Sequence, residues 1–406
     1  MITLGDLRLN ILHIGHSWGG GLTKWIKSFP QIHGGKNLFL TFEPDGKSFS
    51  LLDLVTGRSS FAFELERAIK ESELSHDEYR RHLERTITKN EISIVIVSSL
   101  IGHSLDALKL EVPTAYIFHD YFGYCPHINI TYKETCTSCD SRRLKDCFKN
   151  NSLERIFRRD PGHWLEYRRE FIELLVNKEI LLIAPDKSVA NNLRVLEPIL
   201  SEVNIECIPH GIHQEKDNKF EKVLAGEKLR ILFPFGSLDH KGADIFVKLA
   251  EKYHQKATFY CYGYNSTHSK KIESLCSQGI IAKNFGPFKE TELEGILNEI
   301  SPHLAILPCK VPETFSYTLS EMINFCIPLI ATNIGSFKNR VIPEIGFLVD
   351  PTLEAFDNSI QKILEDPSCL YGMSKAQERI PTQTMETFAL GYLKAIGAYL
   401  DRWKAV

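Results

Sequence analysis

Net charge is almost absent from this chain of 406 residues: 48 Lys and Arg stand against 51 Asp and Glu, a formal −3. Bulk nucleic-acid binders usually carry a strong positive excess, so that class is excluded. Also lacking is any apolar run of the ~18 residues that a membrane span needs. The first residues, MITLGDLRLNILHIG, have no basic start, apolar core and small-residue cleavage site, so no signal peptide is expected. Short-period repeats and low-complexity tracts are missing too. These absences lead to the expectation of a cytosolic globular protein. Its ten cysteines would then be reduced thiols, unless some hold a metal.

What is present is ordinary in bulk, 43% hydrophobic and 24% charged. The length exceeds one typical core and predicts two domains of about 200 residues each. Short apolar runs alternate with helical patterns. In the first half, residues 9–15, 37–42, 93–99, 114–120 and 180–185 read as strands, with helices at 20–29 and 77–87. The strands are rich in Ile, Leu, Val and aromatics with little alternation, as in strands buried on both faces. A second series begins at 229–236 and continues at 257–263, 303–309, 327–333 and 346–350, with helices at 242–254, 290–299, 317–325 and 353–365. The polar, charged stretch 214–228 between the halves reads as a linker. Two βαβ arrays joined this way predict an α/β protein with two doubly wound parallel sheets facing a cleft. A last helix, 384–403, has no strand to follow it and is expected to pack across the junction.

Three stretches carry the chemistry. In HIGHSWGGGLTKWI (13–26), Gly19 to Gly21 turn the chain from a strand into a helix. Such a turn exposes backbone N–H groups and suits an anion, although a plain tight turn reads the same way. The pattern is not G-x-G-x-x-G. FPFGSLDHKGADIF (233–246) occupies the equivalent place in the second half, with Gly236 and then Lys241 beside a helix start. That lysine could neutralise a diphosphate or be a solvated loop residue, and the spacing is not a Walker A loop. In PETFSYTLSE (312–321), Glu313 falls in a loop past a strand and Glu321 lies eight positions on. Thr318-Leu-Ser-Glu321 is also a capping-box sequence, which would turn Glu321 to the backbone.

Taken in order, these stretches resemble retaining glycosyltransferases of the GT-B fold, in which two Rossmann-like domains face each other. PETFSYTLSEMINFCIPLIATNIGSF resembles their E-x7-E region, most of all that of family 4. IPHGIH (208–213) is similar to the family's interdomain link, GSLDHKG to its phosphate loop, NFGPFKETEL (284–293) to its helix lead-in, and IGFLVDP (345–351) to its later strand. The glycine turn and YIFHDY (116–121) are similar to its N-terminal half.

The resemblance implies domains at 1–213 (acceptor side, with a cysteine-rich insertion at 124–148) and 225–383 (nucleotide-sugar donor side), and a closing helix at 384–406. It implies catalytic roles for His119, Lys241 and Glu313. Donor contacts would come from Gly20, Gly21, Gly236, Lys241, Gly286, Phe315, Ser316, Tyr317, Thr318 and Glu321. Glu321 would hold the donor ribose and Lys241 the diphosphate. Where the family often has an arginine after the loop glycine this chain has Ser237, so Lys338 or Arg340 could share the phosphate charge. His119 also fits a structural role at a strand end, and His103 is set aside from the catalytic group.

YCPHINITYKETCTSCDSRRLKDCF (124–148) places Cys125, Cys136, Cys139 and Cys147 within 23 residues. Cys136-x2-Cys139 has knuckle spacing, and four thiolates would complete a structural zinc site. Flanking spacings of ten and seven are unusual, and free thiols are the other reading. The Arg- and aromatic-rich segment 141–171 could meet an anionic lipid surface, but Asp146, Glu154, Asp160, Glu166 and Glu170 cancel most of its charge.

The expected activity is transfer of a sugar from a UDP-, GDP- or dTDP-linked donor to a glycan or lipid-linked acceptor in surface polysaccharide synthesis. It needs no catalytic cofactor. Partners would be the nucleotide sugar, the acceptor and other glycan-assembly enzymes, with peripheral contact at the inner membrane face where the acceptor is lipid-linked. An epimerase on the same fold and a non-catalytic sugar-binding subunit are the alternatives.

Overall fold

The computed structural model of the chain describes residues 9–29, 35–151, 157, 160–264 and 266–404. The lead-in before residue 9 and Glu154 of the charged segment lie outside the described residues. The chain forms two compact units. One runs through Gly211 and resumes at Gln383; the other is Ile212–Thr382.

The first unit holds an eight-stranded sheet. Its strands are β1 (Ile11–Ile14), β2 (Asn37–Phe42), β3 (Ser48–Asp53), β4 (Ser59–Glu64), β5 (Ile94–Val97), β6 (Thr114–Ile117), β7 (Leu181–Ala184) and β8 (Ile205–Cys207). Their order is β8-β7-β6-β5-β1-β2-β3-β4. Its helices are α1 (Gly20–Ser28), α2 (Asp77–Asn90), α3 (Ser141–Asn150), α4 (Pro161–Asn177) and α5 (Lys187–Leu196). Alternate residues of each central strand enter different cores. Leu12, Ile14, Val95, Val97 and Tyr116 meet Tyr79, Leu83, Trp164 and Phe171 on one face. Ile11, Ile94, Ile96, Ala115 and Ile117 meet Trp25, Phe29, Phe388 and Tyr392 on the other. Both faces are apolar, which is why these strands show no polar alternation.

This sheet is not parallel throughout: β2/β3 and β3/β4 pair antiparallel. The cause is local. Asp45 Oδ1 accepts the N–H groups of Lys47 and Ser48 at 2.8 Å each, and Gly46 has φ 67°, which together turn the chain straight back. The strands that follow, SFSLLD and SSFAFE, are half-exposed, as befits a sheet edge.

The second unit holds a six-stranded sheet, parallel throughout. Its strands are β9 (Leu229–Phe233), β10 (Ala257–Cys261), β11 (Ile281–Asn284), β12 (Leu304–Leu307), β13 (Leu329–Thr332) and β14 (Gly346–Val349), in the order β11-β10-β9-β12-β13-β14. Its helices are α6 (Ala243–Tyr253), α7 (Ser269–Ser277), α8 (Leu293–Ile300), α9 (Tyr317–Asn324), α10 (Phe337–Arg340), α11 (Leu353–Glu365) and α12 (Ser368–Glu378). From β9 the chain first builds outward through β10 and β11, then returns to place β12 on the other side. The direction of winding therefore switches between β9 and β12, the place where open α/β sheets bind ligands.

Two segments outside the sheets have defined packing. Residues 214–228 form neither helix nor strand, yet Phe220 and Val223 pack on the second unit's core. Asp217 and Lys219 donate backbone N–H groups to Asn324 and Phe325 carbonyls at 3.1 and 2.9 Å. The C-terminal helix α13 (Met385–Trp403) groups with the first unit, where Phe388, Tyr392, Ile396 and Tyr399 enter the core beside Trp25. Its Tyr399 hydroxyl accepts the Thr114 N–H at 3.0 Å and donates to the Glu179 carbonyl at 2.9 Å.

Candidate functional site

The loops after β9 and β12 bring two expected residues together across 72 positions of sequence. Lys241 Nζ meets Glu313 Oε1 at 2.5 Å, with both side chains largely buried. Burial works to lower the lysine's proton affinity, but Glu313 and Cys309 beside it prevail, and the ammonium is held above its ordinary range. Lys241 is thus a fixed positive charge. Its ammonium also lies 5.0 Å over the Phe235 ring.

The lysine's loop is built from residues whose role was not read from sequence. Gly242 has φ 82°, and a Cβ there would stand 2.1 Å from the Pro308 carbonyl oxygen. Only glycine permits that approach between the β9 and β12 loops. Asp239 accepts from Lys310 Nζ at 3.3 Å and lies 3.2 Å from His268 Nε2. Lys310 also pairs with Asp244 at 2.8 Å. Ser237, where an arginine was expected, has its Oγ 2.8 Å from Ser269 Oγ and accepts the Ser266 N–H. It fastens the next loop and brings no charge.

Glu313 is held from below by the loop after β13. Ser336 donates its N–H to the Glu313 carbonyl at 2.8 Å and its hydroxyl to the Phe315 carbonyl at 2.9 Å. Gly335 has φ 56°, and a Cβ there would lie 2.6 Å from the Glu313 nitrogen. Arg340 donates to the Phe315 carbonyl, to the Ser316 carbonyl at 3.3 Å and to Ser320 Oγ at 2.6 Å, with its guanidinium 4.2 Å over the Phe315 ring. It secures the turn into α9 from its own loop, whereas Lys338 is exposed.

α9 begins at Tyr317, and its N-cap is Ser316, whose Oγ accepts the Leu319 N–H at 3.2 Å. The capping box over Thr318–Glu321 is therefore not formed: Glu321 sits one turn inside the helix. It is only 8% exposed. The phenols of Tyr262 and Tyr317 are both raised above their ordinary range, first by burial and then by negative neighbours that include Glu321. Tyr262, just past β10, was not foreseen. Gly236 and Gly286 both take positive φ, and a Cβ on Gly236 would stand 2.3 Å from the Tyr264 carbonyl oxygen. The Gly286 carbonyl accepts the Gly263 N–H at 2.8 Å. Thr318 lies in the first turn of α9, half-buried.

In the first unit the glycine turn follows β1. Gly19 is the N-cap of α1 with φ 93°, and Gly20 has φ 70° with open space where a side chain would point. Gly21 is exposed in the same first turn. His103, set aside earlier, supports this turn: its Nε2 lies 3.1 Å from the Gly15 carbonyl and its Nδ1 2.7 Å from the Tyr79 hydroxyl. His119 follows β6, its ring 5.0 Å from Trp25 and 5.1 Å from His210. Burial, with His16 and His13 nearby, lowers it to about 3, so it is a neutral imidazole at any physiological pH.

The cysteine segment gathers Cys125, Cys136, Cys139 and Cys147 around one cavity of about 20 Å³. None of the four stands in a disulfide. Among the described residues, no three His, Cys, Asp or Glu side chains stand in a finished metal-ligand arrangement. Among those residues, too, no helix is long and apolar enough to cross a membrane.

Residues 215–382, nearly the whole second unit, match the family model of glycosyl transferases group 1. Among curated proteins, none matches the chain. Solved structures similar to it include sucrose-phosphate synthase from Thermosynechococcus elongatus, at 16% identity and a TM-score of 0.61 over 98% of this chain and 100% of that one. A glycosyltransferase from Rickettsia africae is similar at 16% identity and a TM-score of 0.64, over 97% and 99%. HepE from Anabaena, solved in complex with UDP, is similar at 13% identity and a TM-score of 0.61, over 96% and 100%. Identities this low speak for the fold, and the family match speaks for the second unit. The chain thus has the GT-B fold of these structures, and that fold together with the glycosyl transferases group 1 match over its second unit supports a glycosyltransferase.

Proposed function

We propose that the protein transfers a sugar, with retention of anomeric configuration, from a nucleotide diphosphate sugar to a glycan or lipid-linked acceptor in surface polysaccharide synthesis. The observation that carries this reading is the Lys241–Glu313 pair at the switch point of the second unit's sheet, next to the start of α9. A diphosphate leaving group develops negative charge as the glycosidic bond breaks. A fixed ammonium and a helix N-terminus aimed at that charge stabilise the transition state more than the ground state. Glu313 keeps the lysine charged and aimed, and offers its carboxylate to sugar hydroxyls. Glu321, buried in α9, would accept from the ribose hydroxyls. Gly236, Gly286, Phe315, Ser316, Tyr317 and Thr318 would shape the donor's bed.

In the first unit, Gly20 and Gly21 are proposed to face an anion, and His119 to bond a sugar hydroxyl as a neutral imidazole. Attack would come from the acceptor hydroxyl on the face the leaving group departs, with a donor phosphate oxygen taking the proton. No carboxylate nucleophile is then required. UDP is the first donor base to try, because the similar HepE was solved with it; GDP and dTDP follow. The reading places the protein in the cytoplasm, at the inner membrane face when the acceptor is lipid-linked.

A thermal-shift screen of UDP-, GDP- and dTDP-sugars tests it, since a ligand bound only by the folded state raises stability with occupancy. One donor class should raise the melting temperature of the wild type, and a labelled sugar from that class should pass to an acceptor extract. Epimerisation of the donor without acceptor would overturn the transferase reading.

A further inference from the structure

We propose that Cys125, Cys136, Cys139 and Cys147 are the ligands of a structural zinc ion, with Arg143 and Arg168 as its charge-balancing partners. This does not depend on the donor or acceptor.

The four thiols come from three pieces of chain: the loop after β6, the turn past a two-residue hairpin (Thr131–Tyr132 with Glu134–Thr135), and α3. They wall a cavity of about 20 Å³, room for a single ion or water. His127 shares the wall, but a four-sulfur set does not need it.

Three N–H donors are aimed at the sulfurs. Arg168 Nη2 lies 3.4 Å from Cys139 Sγ, Arg143 Nη2 3.8 Å from Cys136 Sγ, and Asn151 Nδ2 3.4 Å from Cys147 Sγ. Donors around the sulfurs are what an outer shell supplies to a metal thiolate.

Arg168 is the second observation. It is 5% exposed, yet its guanidinium meets no carboxylate among the described residues. Its partners are the Tyr124 and Cys139 carbonyls at 3.0 and 2.6 Å, the Cys139 sulfur, and the Tyr124 ring 4.1 Å away. A buried charge without a counter-charge is strongly unfavourable. Four thiolates around a divalent ion carry a net charge of −2, which answers Arg168 and Arg143 together. Four neutral thiols would answer neither.

The backbone is a third. Ile128, Ile130 and Lys133 all have positive φ, at 58°, 44° and 64°. Isoleucine is rarely held there unless its surroundings enforce it. The thiols do not yet stand as a closed ligand set, so zinc would draw the sulfurs in over the cavity and release the thiol protons. Four protein ligands leave no open position, so the ion would brace the loop and take no part in transfer. Soft thiolates in a tetrahedral set select zinc over magnesium or calcium.

The test is elemental analysis of the full-length protein, prepared with zinc and then dialysed against metal-free buffer. About one zinc per chain is expected, with less than about a tenth as much in the Cys136→Ser/Cys139→Ser double variant. Cys207→Ser, at an exposed cysteine outside the cluster, should keep its zinc. If the double variant does not fold, cobalt substitution of the wild type decides. Tetrahedral cobalt with sulfur charge-transfer absorption supports the site, and octahedral or absent cobalt overturns it. Metal-free wild type, a Cys136–Cys139 disulfide in its place, or zinc retained by the double variant would each overturn the proposal.

Discussion

Glu321 and Glu313 look alike in sequence, two acids eight positions apart, but they take different environments. Glu313 sits on a loop and is neutralised at once by Lys241. Glu321 is buried inside a helix, and its negative charge helps raise the phenols of Tyr262 and Tyr317. The helix start is what separates them: Ser316 caps α9, so Glu321 lies past the cap and inside the helix. If Glu321 grips ribose hydroxyls, Glu321→Gln keeps the shape and loses the charge. Donor Kd should then rise about tenfold or more, the ~1.5–3 kcal/mol of a hydrogen bond to a charged group. Calorimetric titration reads this directly, and an unchanged Kd would remove Glu321 from the donor site. The two acids, the lysine and the glycines were legible as residue types at the ends of apolar runs. The pairing of Lys241 with Glu313 was not, because it depends on β12 lying beside β9, a matter of strand order that no local pattern carries.

At the scale of elements, the site is a set of loops fastened to one another at the carboxyl ends of β9, β12 and β13. Gly335 is the tight point that bears directly on Glu313. Gly335→Ala would put a methyl against the Glu313 nitrogen in a backbone conformation that alanine disfavours. Expected are a loss of about 1–3 kcal/mol in urea unfolding and a larger fall in kcat than in substrate affinity. Normal stability with normal kcat would show that the β13 loop does not hold Glu313. The central strands were readable because burial on both faces leaves continuous apolar runs. Strands β3 and β4 were missed although PDG, between β2 and β3, signals a turn and the spaced aromatics of SSFAFE signal an edge strand. The supporting side chains Ser336, Asp239, Lys310 and Tyr262 were missed for another reason, and Arg340 was named only as a phosphate base. They act by holding other residues, and an isolated polar residue in a loop gives no sign of what it holds.

For the whole molecule, the first unit concentrates buried imidazoles. Burial lowers His13, His16 and His103 to about 4 and His119 to about 3. In the unfolded chain these groups take up protons near 6.5, so between pH 6.5 and 4 the unfolded state binds more protons. Their contribution to stability is complete above about 6.5 and is lost as pH falls, on the order of 1 kcal/mol per pH unit for each imidazole. Asp120 works the other way: burial raises it to about 6, so its folded form keeps a proton the unfolded form has released. Four imidazoles outweigh one carboxyl. In the second unit His303 is lowered to about 4. Hydrogen exchange, corrected for its intrinsic pH dependence, should show protection of β1–β8 falling from pH 6.5 to 5 more than that of β9–β14. Equal losses in both units would contradict this.

The central claim is that Lys241 and the start of α9 hold the donor diphosphate in the second unit. It is tested most directly by titrating UDP, GDP and dTDP into the wild type and Lys241→Ala in a calorimeter. One nucleoside diphosphate should bind the wild type and bind the variant at least about tenfold more weakly, as expected for loss of a charge-assisted contact. Equal affinity in the two proteins, or no binding of any of the three to the wild type, would contradict it.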